Sequence, residues 1–435
     1  MRIMHISLGG CLSAPPVKYG MTEDTGGHIA YVLGAAMAQA KLPEVEAVTI
    51  VTRLFDVPEL GEVFAQAEEE IAPKCRVLRL ASDRAEYLEK GNLVGELPSL
   101  QNALLETLEA MGAARPDVIH AHFADAAELA LAARERFGIP VLYTAHSLGA
   151  EKLGPGEDPS AELKARIARE TRALAESDAI IASSRDEVER QIPKLVPAAE
   201  GRAHRIGPGV WVEEQGNAAR AREMLGGFLR DVSKPIILAI ARPIRKKNLR
   251  RLVDAYASDR TLQERANLVV IAGLRDGLEQ GCSERDAVIA DLFDGVDRHD
   301  LWGKVALPRQ HSAQDISDLY ALAAEGGLFC NPAFHEPFGL TLIEAAQAGV
   351  PLVATQSGGP SDILPELGFG ALIDPYDTAS LARGLRDVLM APERELAARR
   401  AQRIARQTYD WTAWAIRTQA VMEGVVRGLQ VQSVA

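Results

Sequence analysis

At 435 residues, the chain is too long for one ordinary hydrophobic core and fits two domains of roughly 200 residues each. Its hydrophobic content of 47% and charged content of 25% are typical of a soluble globular protein. A formal net charge of −12 would repel a phosphodiester backbone, so we expect no nucleic-acid partner, whereas a small polyanion held by a few cations remains compatible.

The first half of the chain, to about residue 207, alternates short apolar segments with helical patterns. The pattern predicts strands at 3–8, 47–52, 76–80, 118–121, 141–144 and 179–182, and helices at 27–40, 99–111, 126–137 and 161–176. Such alternation is typical of a parallel sheet with helices on both faces. We therefore predict an α/β, Rossmann-like domain over residues 1–207.

The segment Gly207-Pro208-Gly209 interrupts this alternation, and the polar run to Lys234 predicts a hinge. The alternation then restarts, with strands predicted at 235–241, 268–272, 305–307, 327–330 and 351–355, and with helices after Lys247, near 286–292, at 312–324 and at 340–348. We predict a second Rossmann-like domain over residues 208–409. The segment 410–435 is predicted to form a helix that packs back on the first domain.

The amino terminus and the cysteines bear on the cellular compartment. The first residues are too short and polar for a signal peptide, and no apolar run approaches the ~20 residues of a membrane-spanning helix. Cys11, Cys75, Cys282 and Cys330 show no CxxC spacing, which favours reduced thiols over disulfides or a zinc site. We therefore expect a cytoplasmic protein.

Ligands of open α/β sheets bind beyond the carboxyl ends of the strands, so the loops there carry the candidate sites. The loop after the first strand ends in Gly26 and Gly27 at the start of a helix, where paired glycines allow the backbone to approach a phosphate or a sugar. An equally simple interpretation is a plain loop in which Asp24 or Thr25 caps the helix.

A cationic loop follows the first strand of the second domain. It reads Arg242-Pro-Ile-Arg-Lys-Lys247-Asn248, with four cations in six residues. Arg242 and Lys247 could neutralise a diphosphate, the first through its planar fork and the second as a point charge. The alternative is a solvated loop, but this one lies where an α/β ligand is expected.

The stretch 331–349 combines a helix start with two carboxylates. Gly339 and Thr341 lie at the first turn, so backbone N–H groups there could bind an anion. Glu336 and Glu344 could accept hydrogen bonds from sugar hydroxyls, although Glu344 could also be a surface residue of an amphipathic helix. A His335-Glu336 zinc motif is excluded because the fifth position is Gly339. With no Asp-x-Asp motif present, protein cations would have to hold the diphosphate, and we expect no metal and no cofactor.

Taken together, these motifs resemble the retaining GT-B glycosyltransferases of family 4. The resemblance rests on Asp24-Thr-Gly-Gly27, His146-Ser-Leu-Gly149, the Arg242 to Asn248 loop, Glu336-Pro-Phe-Gly-Leu-Thr-Leu-Ile-Glu344, and 358–362. It spans nearly the whole chain and is strongest for the sucrose synthase, sucrose-phosphate synthase and mannosylfructose-phosphate synthase branch. It implies two Rossmann-like domains facing each other across a cleft.

The resemblance also implies a role for each donor-site residue. Arg242 and Lys247 would hold the diphosphate of a nucleotide sugar, and the donor hexose would contact Glu336 and the ribose Glu344. His146 would lie near the reacting centre, although a lone histidine at a strand end is more often structural. The other implied donor contacts are Gly26, Gly27, Phe338, Gly339, Leu340 and Thr341.

Acceptor recognition is implied at basic and polar residues of the first domain, which in phosphate-using relatives bind fructose 6-phosphate. The candidates are His28, Arg53, Lys90, Asp125 and Arg166. Three of them depart from the family pattern: His28 replaces a glutamine, Val94 replaces a tryptophan after Lys90, and Arg166 lacks a second arginine beside it. Each cation could also be an ordinary surface residue.

The resemblance thus implies a retaining, metal-independent hexosyltransferase, with UDP-glucose as the favoured donor and a small sugar or sugar phosphate, such as fructose 6-phosphate, as acceptor. GDP-mannose as donor or another small acceptor remains an alternative, as does a phosphorylase or epimerase of the same architecture. A sugar-nucleotide-binding regulator without catalytic activity is the alternative from another class. The oligomeric state is left open.

Overall fold

The structure is a computed structural model that describes residues 1–22, 24–152, 158–210, 216–275, 277 and 283–432, with only the backbone described at 90, 152 and 429–432. The chain forms two compact units. The first comprises Met1–Gly209 and Trp411–Ala435, and the second comprises Val210–Asp410. The predicted fold class is confirmed, because each unit contains a largely parallel sheet covered by helices.

The sheet of the first unit has eight strands in the order β3-β4-β2-β1-β5-β6-β7-β8. All neighbouring strands are parallel except β3 and β4. The strands are β1 (Arg2–Ile6), β2 (Ala47–Arg53), β3 (Glu68–Ala72), β4 (Cys75–Leu80), β5 (Val118–His122), β6 (Val141–Thr144), β7 (Ala179–Ala182) and β8 (Ala203–Arg205).

Helices cover both faces of this sheet. They are α1 (Gly27–Ala40), α2 (Leu97–Met111), α3 (Phe123–Phe137), α4 (Ala161–Glu176), α5 (Ile192–Leu195) and the carboxyl-terminal helix, which is named α15 in chain order (Trp411–Gln432). The helix α15 packs on α1, and both Trp411 and Trp414 are buried there. A Cβ on Gly34 would lie 2.2 Å from the Trp411 ring, so the two helices approach closely because Gly34 has no side chain.

The sheet of the second unit has six parallel strands in the order β11-β10-β9-β12-β13-β14. They are β9 (Ile236–Ile240), β10 (Asn267–Ile271), β11 (Val305–Ala306), β12 (Leu328–Asn331), β13 (Leu352–Thr355) and β14 (Ala371–Ile373). The helices are α6 (Ala218–Leu225), α7 (Leu249–Ser258), α8 (Arg260–Arg265), α9 (Glu284–Arg298), α10 (Ala313–Ala324), α11 (Leu340–Gln347), α12 (Pro360–Leu367), α13 (Thr378–Leu389) and α14 (Arg394–Thr408).

Several elements were not predicted from the sequence, and each has a local reason. The edge strand β3 reads Glu-Glu-Glu-Ile-Ala, which resembles a charged loop, yet it pairs antiparallel with β4. The helix α12 contains Pro360 at its first turn and Pro365 inside it, which disguises its helical pattern. The helix α6 lies within the polar run that was interpreted as a hinge.

Two findings concern the compartment. Among the described helices, none is long and apolar enough to cross a membrane. Cys11, Cys75 and Cys330 are buried free thiols, and Cys282 lies outside the described residues.

Candidate active site

Each sheet has a switch point at which the chain crosses to the other side of its first strand, and the donor-site candidates gather at the switch point of the second unit. In the second unit the chain runs outward from β9 to β11 and then returns to β12 on the other side of β9. The loops after β9 and β12 therefore leave the same edge of the sheet side by side. Ligands of open α/β folds bind in such crevices.

The cationic loop and the acidic loop meet at this point. Lys247 lies in a short 3₁₀ turn after β9, and its Nζ lies 2.5 Å from Oε2 of Glu336. Glu336 is 8% exposed and accepts a second hydrogen bond from Nδ2 of Asn331, at 3.0 Å. Two residues predicted for the donor site, 89 positions apart, thus form one buried ion pair.

The surroundings of Glu336 keep it ionised. Burial alone would raise the pKa of its carboxyl group, but the charge of Lys247 and the hydrogen bonds from Asn331 and Lys247 outweigh burial and lower this pKa, with a further contribution from Lys246. The site therefore presents a fixed negative charge next to a fixed positive charge. A carboxylate held in this way can accept hydrogen bonds from hydroxyl groups but cannot donate any.

The backbone of the loop at Glu336 is held by Gly358 and Gly359, to which the sequence assigned no role beyond the family motif. Gly359 donates its N–H to the carbonyl of Glu336 at 2.9 Å, and Glu336 donates its own N–H to the carbonyl of Ser357 at 3.1 Å. A Cβ on Gly358 would lie 2.2 Å from that same Glu336 carbonyl oxygen, and Gly358 has a positive φ of 92°. The motif Gly358-Gly359 is therefore required for backbone contact with the Glu336 loop.

The helix α11 begins beside this pair. Its N-cap is Gly339, with a positive φ of 109° and no side-chain capping hydrogen bond, and Leu340 and Thr341 form the first turn. A Cβ on Gly339 would lie 3.5 Å from Cγ of Glu336, which shows how close the carboxylate stem is to the helix start. Backbone N–H groups at such an uncapped start can bind an anion. Phe338 is buried next to it, with its ring 5.9 Å from Tyr409.

Glu344, one turn further along α11, is held by Tyr320, which the sequence analysis did not identify. The Tyr320 hydroxyl donates to Oε2 of Glu344 at 2.9 Å and also lies 3.3 Å from the Thr341 carbonyl. Arg242 lies two residues after β9 and is exposed. The structure thus gathers Lys247, Glu336 and Gly339 tightly, with Glu344 on the same helix.

In the first unit the strand order reverses between β1 and β5. The loop after β1 ends at Gly26, which is the N-cap of α1 and has no side-chain capping hydrogen bond. Thr25 instead accepts a hydrogen bond from the backbone N–H of Cys11, at 2.9 Å, so its hydroxyl stabilises the loop. Gly27 is exposed, and His28 contacts the carbonyl of Gly9 through Nε2 at 3.1 Å.

His146 follows β6 and adopts a positive φ of 56°, a conformation that is uncommon for residues other than glycine. Its ring lies between aromatic neighbours, 4.8 Å from Tyr31 and 4.7 Å from Phe123 between centroids. Its Nε2 lies 2.9 Å from Nδ1 of His122. The side chain is therefore positioned by packing and by one buried histidine.

The residues predicted for the acceptor are separated in the first unit. Arg166 lies near the His146 loop, where it donates to the Ser147 carbonyl at 2.8 Å and to Oε1 of Glu170 at 2.7 Å. Asp125 is buried in the first turn of α3, with Arg169 at 3.4 Å. Arg53 is directed elsewhere, because its guanidinium hydrogen-bonds Ser82 Oγ and the carbonyls of Arg84 and Glu86. Lys90 begins a 3₁₀ helix, and its side chain lies outside the described part.

Two family models match the chain in succession. Residues 26–209 match a glycosyl transferase 4-like domain, and residues 223–407 match the glycosyl transferases of group 1. The two matches fall on the first and second unit and include the switch-point loop that carries Lys247 and the loop that carries Glu336.

Curated relatives of similar sequence are sucrose-phosphate synthases from plants. The chain is 32% identical to a probable sucrose-phosphate synthase of Vicia faba, over 88% of this chain and 43% of the relative. It is 31% identical to sucrose-phosphate synthase 1 of Arabidopsis thaliana, over 88% of this chain and 44% of the relative. The chain thus spans less than half the length of these relatives.

Solved structures of similar fold cover nearly the whole chain. A sucrose-phosphate synthase from Thermosynechococcus elongatus aligns with a TM-score of 0.79 at 24% identity, over 98% of this chain and 99% of that one. Anabaena HepE in complex with UDP-glucose aligns with a TM-score of 0.65 at 17% identity, over 98% and 99%. With its two parallel sheets and these structural neighbours, the chain has the GT-B fold, and each of its halves matches a glycosyltransferase family model.

Proposed function

We propose that the chain is a retaining hexosyltransferase that moves a hexose, preferentially glucose from UDP-glucose, to a small sugar or sugar-phosphate acceptor such as fructose 6-phosphate. The observation that carries the proposal is the buried pair of Lys247 and Glu336 at the switch point of the second unit, beside the uncapped start of α11. The similarity to sucrose-phosphate synthases supports this substrate class.

The donor would bind with its charges matched to this site. Its diphosphate would contact Lys247, Arg242 and the N–H groups of Gly339, Leu340 and Thr341, where a helix start and two cations favour negative charge. Glu336 would accept hydrogen bonds from hydroxyls of the hexose that the diphosphate carries, which agrees with its contact to Lys247. Glu344, oriented by Tyr320, would accept hydrogen bonds from the ribose.

The chemistry would depend on positioning rather than on a protein nucleophile. We propose that the acceptor hydroxyl attacks the anomeric carbon on the face that the diphosphate leaves, and that its proton passes to the departing phosphate oxygen. The protein would stabilise the negative charge that develops on the diphosphate through Lys247, Arg242 and the α11 amides. Because these cations could neutralise that charge, we propose that transfer requires no metal.

The acceptor would bind in the first unit. His146 is the proposed contact at the reacting centre, with Gly26, Gly27 and His28 at the start of α1. Arg166 and Asp125 lie on neighbouring helices of this unit and are proposed to contact an acceptor phosphate or hydroxyls, directly or by shaping the pocket. Lys90 and Arg53 stay more distant proposals, since Arg53 already donates to three loop oxygens.

A substrate matrix tests the proposal. UDP-glucose, GDP-mannose and ADP-glucose are each offered with fructose, fructose 6-phosphate and small polyols, and nucleoside diphosphate release and the anomeric configuration of the product are measured. We expect release only with a matched pair and a product that retains the donor configuration. An inverted product would contradict the mechanism, and tight binding with no release for any pair would indicate a regulator.

Variants test the assignment of residues. Lys247→Ala and Glu344→Gln are expected to reduce transfer at least a hundredfold, because each removes a charge from the donor site. Arg260→Ala is the matched control, since its side chain is 91% exposed and pairs only locally with Glu264. Full activity in both donor-site variants would exclude this site.

A further inference from the structure

Beneath the switch point of the first unit lies a cluster of buried histidines that the proposed function does not use. His5 on β1 is paired in register with His120 on β5, and His122 follows two residues later on the same face of β5. All three side chains are at most 1% exposed. Burying an imidazole ring is costly unless its nitrogens are hydrogen-bonded. The partner of each nitrogen therefore indicates whether that nitrogen donates or accepts.

Three of these contacts form a continuous chain that ends at His146. Nε2 of His5 lies 2.7 Å from Oε1 of Gln39, and Nδ1 of His5 lies 2.9 Å from Nε2 of His122. Nδ1 of His122 then lies 2.9 Å from Nε2 of His146. Both ring nitrogens of His5 and of His122 are therefore engaged within one line of hydrogen bonds from α1 to the loop after β6.

The contacts of Gln39, at the α1 end of this line, determine which atom donates in each hydrogen bond of the line. The amide nitrogen of Gln39 donates to Sδ of Met422, on the buried face of α15, at 3.6 Å. A thioether sulfur can only accept a hydrogen bond, so the Gln39 amide must direct its nitrogen to Met422 and its oxygen to His5. Nε2 of His5 is then the donor of that contact.

The rings of His5 and His122 are neutral, because burial lowers the pKa of His5 to about 4 and that of His122 well below its usual value, with the neighbouring histidines adding to the second effect. A neutral imidazole carries one proton. With its proton on Nε2, His5 accepts at Nδ1 from Nε2–H of His122. By the same step His122 accepts at Nδ1, which requires that His146 donate from Nε2.

We propose that Gln39, His5 and His122 form a directional hydrogen-bond relay that holds His146 in the neutral form with its proton on Nε2, so that Nδ1 of His146 accepts a hydrogen bond from a hydroxyl group of the sugar substrate. The relay residues are positioning residues, and His146 is the group that contacts the substrate. The substrate part of this inference rests on the proposed function, whereas the protonation pattern does not.

A metal site is the competing explanation, because ligand atoms of His5, His120 and His122 lie within 4.8 Å of one another. The hydrogen bonds argue against it. Each ring nitrogen of His5 and His122 is already within 2.9 Å of a partner, and Nε2 of His120 lies 2.8 Å from Thr144 Oγ1, so Nδ1 of His120 alone has no hydrogen-bond partner among the described residues. One nitrogen does not make a metal site.

The direct test is imidazole nitrogen NMR of the intact protein labelled with ¹⁵N-histidine, with signals assigned through single substitutions. At pH 7.5 we expect His5, His122 and His146 each to carry one proton, on Nε2. A proton on Nδ1 of His146 or a doubly protonated ring would overturn the relay. Stoichiometric zinc in the purified protein would overturn it as well, because ligation uses the lone pairs that the relay needs.

Variants of Gln39, at the α1 end of the relay, test whether the relay positions His146 or only stabilises the fold. Gln39→Met removes the acceptor of His5, so the His146 signals should show a mixture of tautomers, and kcat/KM for UDP-glucose should fall roughly fivefold to tenfold, the value of about one hydrogen bond. Gln39→Glu restores an acceptor and should restore the single tautomer. His120→Gln is the matched control, since His120 is equally buried but outside the line, and we expect His146 to keep its tautomer.

The two proposals can fail separately. The expected proton positions with no sugar transfer would leave the relay standing and refute the proposed function. Sugar transfer by a protein whose His146 carries its proton on Nδ1 would refute the relay and leave the proposed function standing. If Gln39→Met does not fold, the wild-type spectrum still decides the relay.

Discussion

The pair of Lys247 and Glu336 gives the sharpest test of the donor site, through a cycle of three variants. These are Lys247→Met, which keeps the length of the side chain and removes its charge, Glu336→Gln, which keeps its shape, and the double variant. The side chains are 17% and 11% exposed, so the two charges are only partly hydrated. Their coupling should therefore exceed that of surface ion pairs, which contribute about 0–1 kcal/mol.

The magnitudes follow from what each variant leaves behind. Lys247→Met leaves a buried carboxylate with Asn331 as its remaining hydrogen-bond donor, so we expect a loss of about 3 kcal/mol, at the lower end of the range for breaking a buried pair. Glu336→Gln leaves an ammonium group on a flexible stem that can turn to water, and we expect a loss of about 1 kcal/mol. The double variant should lose about 2 kcal/mol less than the sum of both.

The cycle also has a pH signature. Without Lys247, burial is opposed by Asn331 and Lys246 alone among the causes named above, and we expect the pKa of Glu336 to rise above its ordinary value of 4.5. When a carboxyl group has a higher pKa in the folded state than in the unfolded chain, the free energy of unfolding decreases as the pH rises above the pKa of the unfolded chain. The deficit of Lys247→Met should therefore be large at pH 7 and shrink as the pH falls towards 4.

Hydrogen exchange of peptides from β12 and α11, followed by mass spectrometry, measures the free energy of opening in this unit, and calorimetry measures UDP-glucose binding. Denaturation of the whole chain is less suitable, because two units do not guarantee a two-state transition. Additive losses, a loss below about 0.5 kcal/mol for Lys247→Met, or a deficit independent of pH would refute the reasoning that the pair is buried and coupled.

Three further predictions concern other groups. Burial lowers the pKa of His5 from 6.5 to about 4, so the free energy of opening of the first unit should fall by about 3 kcal/mol on its account between pH 6.5 and 4, and hydrogen exchange of β1 and β5 peptides that is flat in this range would contradict the buried neutral ring. Burial raises the pKa of Glu187 from 4.5 to about 7, so Glu187→Gln should stabilise the first unit by up to about 3 kcal/mol at pH 8 and hardly at pH 4, which hydrogen exchange of β7 peptides at both pH values measures. Gly358→Ala would press a Cβ against the Glu336 carbonyl and should lower kcat/KM at least tenfold, whereas Gly201→Ala, with nothing within 4 Å, should not.

Much of the fold was predictable because its elements have strong local signals. The bounds of α1, α4, β6 and β7 agree with the predicted bounds, since apolar runs and helical spacing of these segments are unambiguous. The strand β3 escaped prediction because its side chains are three glutamates in a row. It is stabilised by tertiary contacts instead, including the pairing of Glu69 with the buried Arg79. The strand propensity of a local segment does not include the energy of such contacts.

The residue types of the donor site were also predictable, but not their arrangement. Sequence motifs identified Lys247 and Glu336 separately, and only the pairing of β9 with β12 brings them together. Tyr320, which orients Glu344, lies on α10 and has no motif of its own. The relay from Gln39 to His146 likewise depends on strand register, because His5 and His122 are 117 residues apart. These contacts follow from tertiary structure and leave no local pattern.

In both units the candidate residues under discussion lie at the switch point of the sheet. This position constrains how the site can evolve or be redesigned. At a switch point two neighbouring loops diverge, so each crevice is lined by residues from distant parts of the chain and its chemistry is set by strand register. In the second unit the pairing of β9 with β12 brings together a cation and an anion, Lys247 and Glu336, which lie in the loops after these strands. In the first unit the strand register brings together His5 and His122, which lie under His146. A change of register in β5 by one residue would turn His122 to the other face of the sheet. The sheet of the first unit, and not only its loops, therefore positions the group that contacts His146.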